Sequence, residues 1–190
     1  MARSPKPRPP LDLDAARRAA VNLLRVRDRS SDELRERLIA RGASGALASR
    51  VVAEFERARL VSDARLAEHT IARELESGPV GRLRLEDRLA RRMIDEDLAV
   101  RAIDAAIRGR RGADDALAAA RQILEKLTAK SGSPSKSPGK QPRPRAQPET
   151  TLDAKLWRRI AAALARRGFD EDEVERAMDA LGPPTESRPD

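Results

Sequence analysis

The sequence predicts an all-α fold of three tandem three-helix repeats that form an elongated, curved array. The 190-residue chain is rich in Ala, Leu, Arg and Glu, and only 2% of its residues are aromatic. Unbranched side chains lose little rotamer freedom in a helix, whereas strands favour β-branched and aromatic residues. The third observation is an internal repeat, which indicates how the helices are grouped.

The repeat is a pattern of apolar residues that occurs three times. Its three copies are Leu34-x3-Leu38-x3-Gly42-Ala43, Leu85-x3-Leu89-x3-Met93-Ile94 and Ile160-x3-Leu164-x3-Gly168-Phe169. The match continues downstream at Ala48, Val51, Val52 and Phe55, at Ala99, Ala102, Ile103 and Ala106, and at Val174, Ala177, Met178 and Leu181. Spacings of three and four place apolar residues on one helical face. Another amphipathic segment precedes each copy (residues 16–26, 63–75 and 114–127), so each repeat has three helices.

We expect the repeats at residues 12–61, 62–109 and 110–182, with disordered tails at 1–11 and 183–190. Such units pack end to end because each buries too little apolar surface alone. Residues 130–149 are rich in Pro, Ser, Gly and basic residues, which predicts a disordered linker inside the third repeat. A loop tolerates this insertion because its closure entropy grows only logarithmically with length.

Several residues mark the ends of the helices. Three pairs have the spacing of a capping box: Ser30 and Glu33, Thr150 and Asp153, Asp170 and Glu173. Each pair predicts a helix start, because its side chains can bond the unpaired backbone amides there. Gly42 and Gly168 predict helix ends, where a left-handed residue is least strained without a Cβ atom.

The composition argues against enzymatic activity, cofactors and metal sites. The chain has no Cys and a single His, His69, so thiolate sites, histidine clusters and histidine-based triads have no support. It has no glycine-rich phosphate loop. Because no apolar stretch is long enough to span a membrane and Pro replaces the apolar part of a signal sequence, we expect a cytoplasmic protein.

The positive charge indicates an anionic partner. Lys and Arg number 39 against 31 Asp and Glu, which gives a net charge of +8. Arginines concentrate in the middle helix of each repeat, where they are candidates for one continuous partner-binding surface: Arg35, Arg37, Arg41, Arg82, Arg84, Arg88, Arg91, Arg92, Arg158, Arg159, Arg166 and Arg167. The guanidinium group binds carboxylates or phosphates bidentately. For any single arginine, ordinary solvation with an i,i+4 acidic partner is the favoured alternative, as in Glu33 with Arg37, Asp87 with Arg91, Asp97 with Arg101 and Asp172 with Arg176.

The second repeat has the largest local excess of arginine. We expect replacement of Arg88, Arg91 and Arg92 together by Ala to weaken partner binding. Lysines and arginines of the linker are candidates for nonspecific phosphate contacts, although a solvated spacer is the favoured alternative. Trp157 shares a helix with Ile160 and Leu164, which favours core packing over base stacking.

Two stretches resemble the opening module of RecX-family proteins: RDRSSDELRERLIARGA, from Arg27 to Ala43, and RLVSDARLAEHTIARELESG, from Arg59 to Gly78. A third, RRIAAALARRGFDEDEVERAMDAL, is similar to their closing module. The resemblance spans about residues 14–127 and 152–181. Leu66 stands where the family usually has Phe, and the linker is longer than usual.

The resemblance implies three tandem three-helix repeats that bind the RecA filament on single-stranded DNA. It also implies suppression of ATP hydrolysis and strand exchange in DNA repair and recombination, by a monomer without cofactors that makes at most weak direct DNA contacts. Two alternatives stay open: a direct DNA-binding protein, because three-helix units with a basic helix also describe helix-turn-helix modules, and a helical adaptor for another partner.

Overall fold

The computed structural model describes residues 11–110, 112–131 and 154–182. Within these ranges the regular structure is entirely helical, which confirms the predicted all-α fold class. The helices are α1 (Leu13–Val26), α2 (Ser31–Ile39), α3 (Gly45–Arg57), α4 (Asp63–Glu76), α5 (Arg82–Ala90), α6 (Glu96–Ala106), α7 (Gly112–Ser131), α8 (Ala154–Arg166) and α9 (Glu171–Leu181). None of the helices described is long and apolar enough to cross a lipid bilayer.

The helices divide between two compact units. Unit 1 contains the described residues within Met1–Arg73 and Glu86–Ala106, and unit 2 contains those within Glu74–Leu85 and Ile107–Asp190. One core, in unit 1, is formed by α1, α2 and α3 around side chains such as Leu34, Leu38 and Val51, which are fully buried. The core of unit 2 is formed by α7, α8 and α9.

The aligned positions of the repeat have the same backbone hydrogen bonds in all three copies. The amides of Ala43, Ile94 and Phe169 donate to the carbonyls of Leu38, Leu89 and Leu164, at 3.1, 3.1 and 3.4 Å. This six-to-one bond closes a helix when the preceding residue is left-handed. Those preceding residues are Gly42, Met93 and Gly168, with φ angles of 102°, 55° and 80°. The three sequence copies therefore align position by position at these helix ends. Met93 adopts the left-handed conformation although it is not a glycine.

Burial follows the same alignment with few departures. Both leading apolar positions of the pattern are fully buried in every copy: Leu34, Leu38, Leu85, Leu89, Ile160 and Leu164. At the far end of the pattern, Phe55 is buried and Leu181 is half-buried, whereas Ala106 is exposed. Because the alanine side chain at the last turn of α6 has little apolar surface, its exposure costs little free energy.

Unit 2 contains a junction between the start of α5 and the end of α8. The amides of Gly81 and Leu83 donate to the carbonyls of Arg167 and Gly168, at 2.9 and 3.1 Å. Unpaired amides at one helix start thus satisfy unpaired carbonyls at another helix end. The approach is so close that a Cβ atom on Gly168 would lie 2.1 Å from the Arg84 nitrogen.

The predicted helix starts are found where the structure describes them. Ser30 accepts from the Glu33 amide at 3.1 Å, and Asp170 with Glu173 forms a complete capping box. Thr150 and Asp153 lie outside the described residues, as do residues 1–10, 132–149 and 183–190 of the predicted tails and linker. Two residues assigned to the linker, 130 and 131, belong to α7. Leu11, assigned to a tail, packs against the core of unit 1, and its amide donates to the Gly42 carbonyl at 3.1 Å.

Candidate partner-binding site

The conspicuous RDRSSDE stretch forms an internal cluster in unit 1. Glu33 is buried, and its carboxylate accepts from both Arg27 and Arg29. The Arg29 side chain is only 9% exposed, so the carboxylate of Glu33 offsets the free-energy cost of burying the Arg29 charge. The expected ion pair of Glu33 with Arg37 is wrong, because the two arginines that precede the helix occupy the carboxylate instead.

Arg92, one of the candidate binding residues, lies beside this cluster. Its guanidinium donates to the backbone carbonyl of Asp28, and its Nε atom is buried without a hydrogen-bond partner in the described part of the chain. Burial lowers the pKa of Arg92, and the positive charge of Arg27 lowers that pKa further. Replacing Arg92 would therefore disturb the fold of unit 1 as well as any partner contact.

A second connection joins the starts of α2 and α4. The Asp63 carboxylate accepts from the Ser31 amide at 2.8 Å and from the Ser31 hydroxyl at 2.7 Å. A carboxylate at a helix start also interacts favourably with the helix dipole. Both serines of the RDRSSDE stretch thus act in helix capping, which explains the motif by folding and not by exposure to a partner.

The remaining candidates on α2 and just after it differ in their contacts. Arg35 pairs with Asp32 in the same helix, and Arg41 donates to the Ala19 carbonyl at 3.3 Å. Arg37 is exposed and forms no ion pair with a described carboxylate. Of these three side chains, Arg37 is the one most available to a partner.

Most candidates on α5 and just after it have contacts within the molecule. In unit 2, Arg84 pairs with Glu74 at 2.7 Å, and in unit 1, Arg91 pairs with Asp87 at 2.9 Å. Arg82 and Arg88 are half-buried and have contacts within the molecule. The local arginine excess that made this helix prominent in the sequence is thus offset by contacts within the fold.

The candidates on α8 have a different environment, an open groove between α7 and α8 in unit 2. Its volume is about 520 Å³. Apolar side chains form its floor, namely Ile123, Leu127, Ala162 and Ala163, and basic side chains form its rim, namely Lys155, Arg158, Arg159 and Arg166. We call this the α7–α8 groove. The fourth candidate, Arg167, is not among its lining residues.

The α7–α8 groove concentrates basic groups without acidic ones. No carboxylate lines it, and Lys155, Arg159 and Arg166 form no ion pair within the described residues. Among the residues described, Arg158 bonds the backbone of its own helix, where its Nε atom donates to the Ala154 carbonyl at 3.1 Å. Four cations therefore face solvent beside an apolar floor, which makes this groove the best candidate site in the described chain.

The sequence identified the groove only in part. Arg158, Arg159 and Arg166 were candidates, but Lys155 and the floor were not. The signal was present, because residues 155, 158, 159, 162, 163 and 166 recur at helical spacing on one face of α8. What the sequence lacks is the packing of Ile123 and Leu127 beside that face.

The other residues singled out in the sequence have no site geometry. Trp157 packs against the core of unit 2, as expected. Its Nε1 atom is buried and finds no acceptor among the residues described. His69 is exposed on α4. Over the described ranges, no group of His, Asp and Glu side chains is arranged to hold a metal ion.

Comparison with known proteins agrees with this architecture. Residues 16–55 match the family model for the first three-helix domain of RecX. The crystal structure of RecX from Lactobacillus salivarius is similar, with a TM-score of 0.65 and 15% identity, over 89% of this chain and 96% of that chain. A crystal structure of regulatory protein RecX gives a TM-score of 0.57 and 14% identity, over 88% and 73% of the two chains. No curated protein sequence matches significantly.

The family model and the solved structures support different conclusions. At about 15% identity the solved structures show a shared fold of three-helix domains, and the family model identifies the domain that contains the Glu33 cluster. Its matched residues extend from Ala16 in α1 to Phe55 in α3. The chain thus contains a segment that matches the first three-helix domain of RecX, and it shares the fold of solved RecX structures.

Proposed function

We propose that this protein binds the RecA filament on single-stranded DNA and mainly inhibits its ATPase and strand-exchange activities. The observation that supports the proposal is the RecX first-domain match together with a RecX fold over 89% of the chain. Such a protein acts in the cytoplasm, in DNA repair and recombination, as a monomer and without a cofactor.

The proposed mechanism is occupancy. Three-helix domains placed along the filament contact successive RecA protomers, and the bound protein opposes the movements that accompany ATP turnover. A ligand that prefers one conformation shifts the population toward it, so no chemistry by this chain is required. The cations of the α7–α8 groove are the contacts that we favour on unit 2, and Arg37 is the one that we favour on unit 1.

The test is the single-stranded-DNA-dependent ATPase of the cognate RecA, measured with increasing amounts of this protein. We expect inhibition at concentrations where binding to bare duplex DNA is weak. Replacing Arg158, Arg159 and Arg166 together by Ala should raise the half-inhibitory concentration about tenfold, because three exposed charge contacts are lost. Arg121, an exposed residue of α7 outside the groove, supplies a control replacement with little effect.

A direct DNA-binding protein is the main rival, and the groove cations give it a physical basis. It predicts a gel shift with DNA alone whose log affinity falls linearly with log salt. An unchanged RecA ATPase together with such a shift would reject the filament proposal in favour of DNA binding. An unchanged ATPase without a shift would reject both and favour an adaptor role.

A further inference from the structure

The floor of the α7–α8 groove is a surface suited to apolar side chains. Ile123 is 9% exposed and Leu127 is half-buried, while Ala162 and Ala163 keep the α8 side of the floor low. Small residues allow a second helix to approach closely, and apolar contact excludes water from the charges at the rim. The groove can therefore accept an amphipathic segment rather than an isolated ion.

The rim specifies the charge of that segment. Its four cations recur on α8 at positions 155, 158, 159 and 166, over three helical turns or about 17 Å. Like charges at such spacings repel one another, and elsewhere in unit 2 an arginine pairs with a carboxylate, as Arg84 does with Glu74. Here the described chain supplies no carboxylate, so the complementary groups come from outside it.

Two other occupants fit less well. The chain's own segment 132–153 contains several Lys and Arg residues against only Glu149 and Asp153, so its charge repels the rim. Single-stranded nucleic acid would bind through stacking on aromatic rings as well as through phosphates. The groove has no aromatic lining residue, because Trp157 packs against the core.

We propose that the α7–α8 groove binds an acidic amphipathic helix of a partner protein. Its carboxylates, spaced by three and four residues, pair with Lys155, Arg159 and Arg166, and its apolar side chains lie over Ile123 and Leu127. Binding of an amphipathic helix in a groove is a common mode of peptide recognition. The inference rests on the proposed function for the identity of the partner and deepens it by naming the kind of segment recognised.

The experiment uses the full chain and a fluorescein-labelled synthetic peptide of about 14 residues, with Glu and Leu at helical spacing. Fluorescence anisotropy should show saturable binding. The R159A/R166A double variant should bind about tenfold more weakly, because two exposed charge contacts are lost. The matched R121A/R176A variant, which removes two exposed arginines outside the groove, should stay within about twofold of the original.

Two changes separate the rim from the floor. A peptide with Gln for every Glu should not bind, and a peptide with Ser for every Leu should bind weakly. The A162E variant places a carboxylate on the floor at an exposed helical position and should abolish binding of the acidic peptide. Circular dichroism and urea melting check that each variant is folded, and A162E keeps the test valid if R159A/R166A does not fold.

Three outcomes would overturn the inference. They are no saturable binding of the acidic peptide, equal binding by R159A/R166A, and tighter binding of labelled oligothymidine with the same sensitivity to that variant. The proposed function fails separately. Loss of peptide binding with intact RecA inhibition rejects the groove inference alone, whereas peptide binding without RecA inhibition rejects the filament proposal alone.

Discussion

Gly168 is held by two independent constraints. Its φ angle is 80°, and a methyl group there would meet the Arg84 backbone nitrogen at 2.1 Å. Gly45, the first residue of α3, has neither constraint, since nothing lies within 4 Å of its hypothetical Cβ atom. The two glycines therefore provide a matched pair for the same substitution.

We expect Gly168→Ala to lower the free energy of unfolding by about 2–4 kcal/mol, through left-handed strain and the clash with α5. Gly45→Ala should raise the free energy of unfolding by about 0.4–1 kcal/mol, because it reduces the entropy of the unfolded chain at a compatible position. Urea denaturation followed by circular dichroism measures both. Similar effects of the two substitutions would contradict the close approach at Gly168.

Single residues also show where sequence reasoning was limited. Glu33 was expected to pair with Arg37 because i,i+4 spacing is visible in a sequence. Its actual partners, Arg27 and Arg29, lie in the connection that precedes the helix, so their pairing depends on the path of that connection and not on helical spacing. By contrast, Asp87 pairs with Arg91 and Asp172 with Arg176 as expected, at 2.9 and 3.9 Å.

At the scale of elements, helix starts are joined by side chains as well as by packing. Asp63, the first residue of α4, also bonds the Ser31 amide and hydroxyl at the start of α2. Ser30, the residue before α2, accepts from Glu33. Capping residues are visible in sequence, but a cap shared between two helices requires their packing, and this one was not predicted.

We expect Asp63→Ala to lower the free energy of unfolding by about 1–2 kcal/mol, because the Ser31 amide loses its acceptor. Asp63→Asn keeps an acceptor oxygen and should recover at least half of the loss. Thermal and urea melts measure the series. Asp97→Ala, at an exposed position in the first turn of α6, serves as the control, and an equal loss in that variant would refute the shared cap.

The groove illustrates the same limit for function. Helical periodicity identified a basic face on α8, but the apolar floor depends on where α7 lies beside it. Near α5 the sequence shows many arginines and predicts the Asp87–Arg91 pair, but the pairing of Arg84 with Glu74 is seen only in the structure. The binding roles of the twelve candidate arginines, and the continuity of their surface, stay predictions.

At the scale of the whole molecule, the threefold repeat made the fold class predictable. Leu, Ala and Gly at recurring positions specify helix faces and helix ends locally, and the same pattern occurs in each copy. The boundaries of the three repeats and of the linker stay predictions, since α4 and α5 each contribute residues to both compact units. Sequence periodicity identifies three-helix repeats, but it does not predict to which compact unit each helix belongs.

Shortening the connection between α7 and α8 tests whether the fold needs it. α7 ends at Ser131 and α8 begins at Ala154. Replacing residues 132–149 by four Gly and Ser residues should leave helicity intact and raise the free energy of unfolding by less than about 1 kcal/mol, because loop closure costs slightly less. Circular dichroism with urea melting measures this, and loss of a cooperative transition would show that the replaced segment belongs to the fold.

The junction between α5 and α8 has a consequence for synthesis on the ribosome. The amides of Gly81 and Leu83 emerge from the exit tunnel long before Arg167 and Gly168, whose carbonyls they will meet. Until then the nascent start of α5 has only water to bond. A translational pause or a premature stop before the last helices would leave that helix start uncapped. We expect the start of α5 to be the first site of proteolytic cleavage in such a chain.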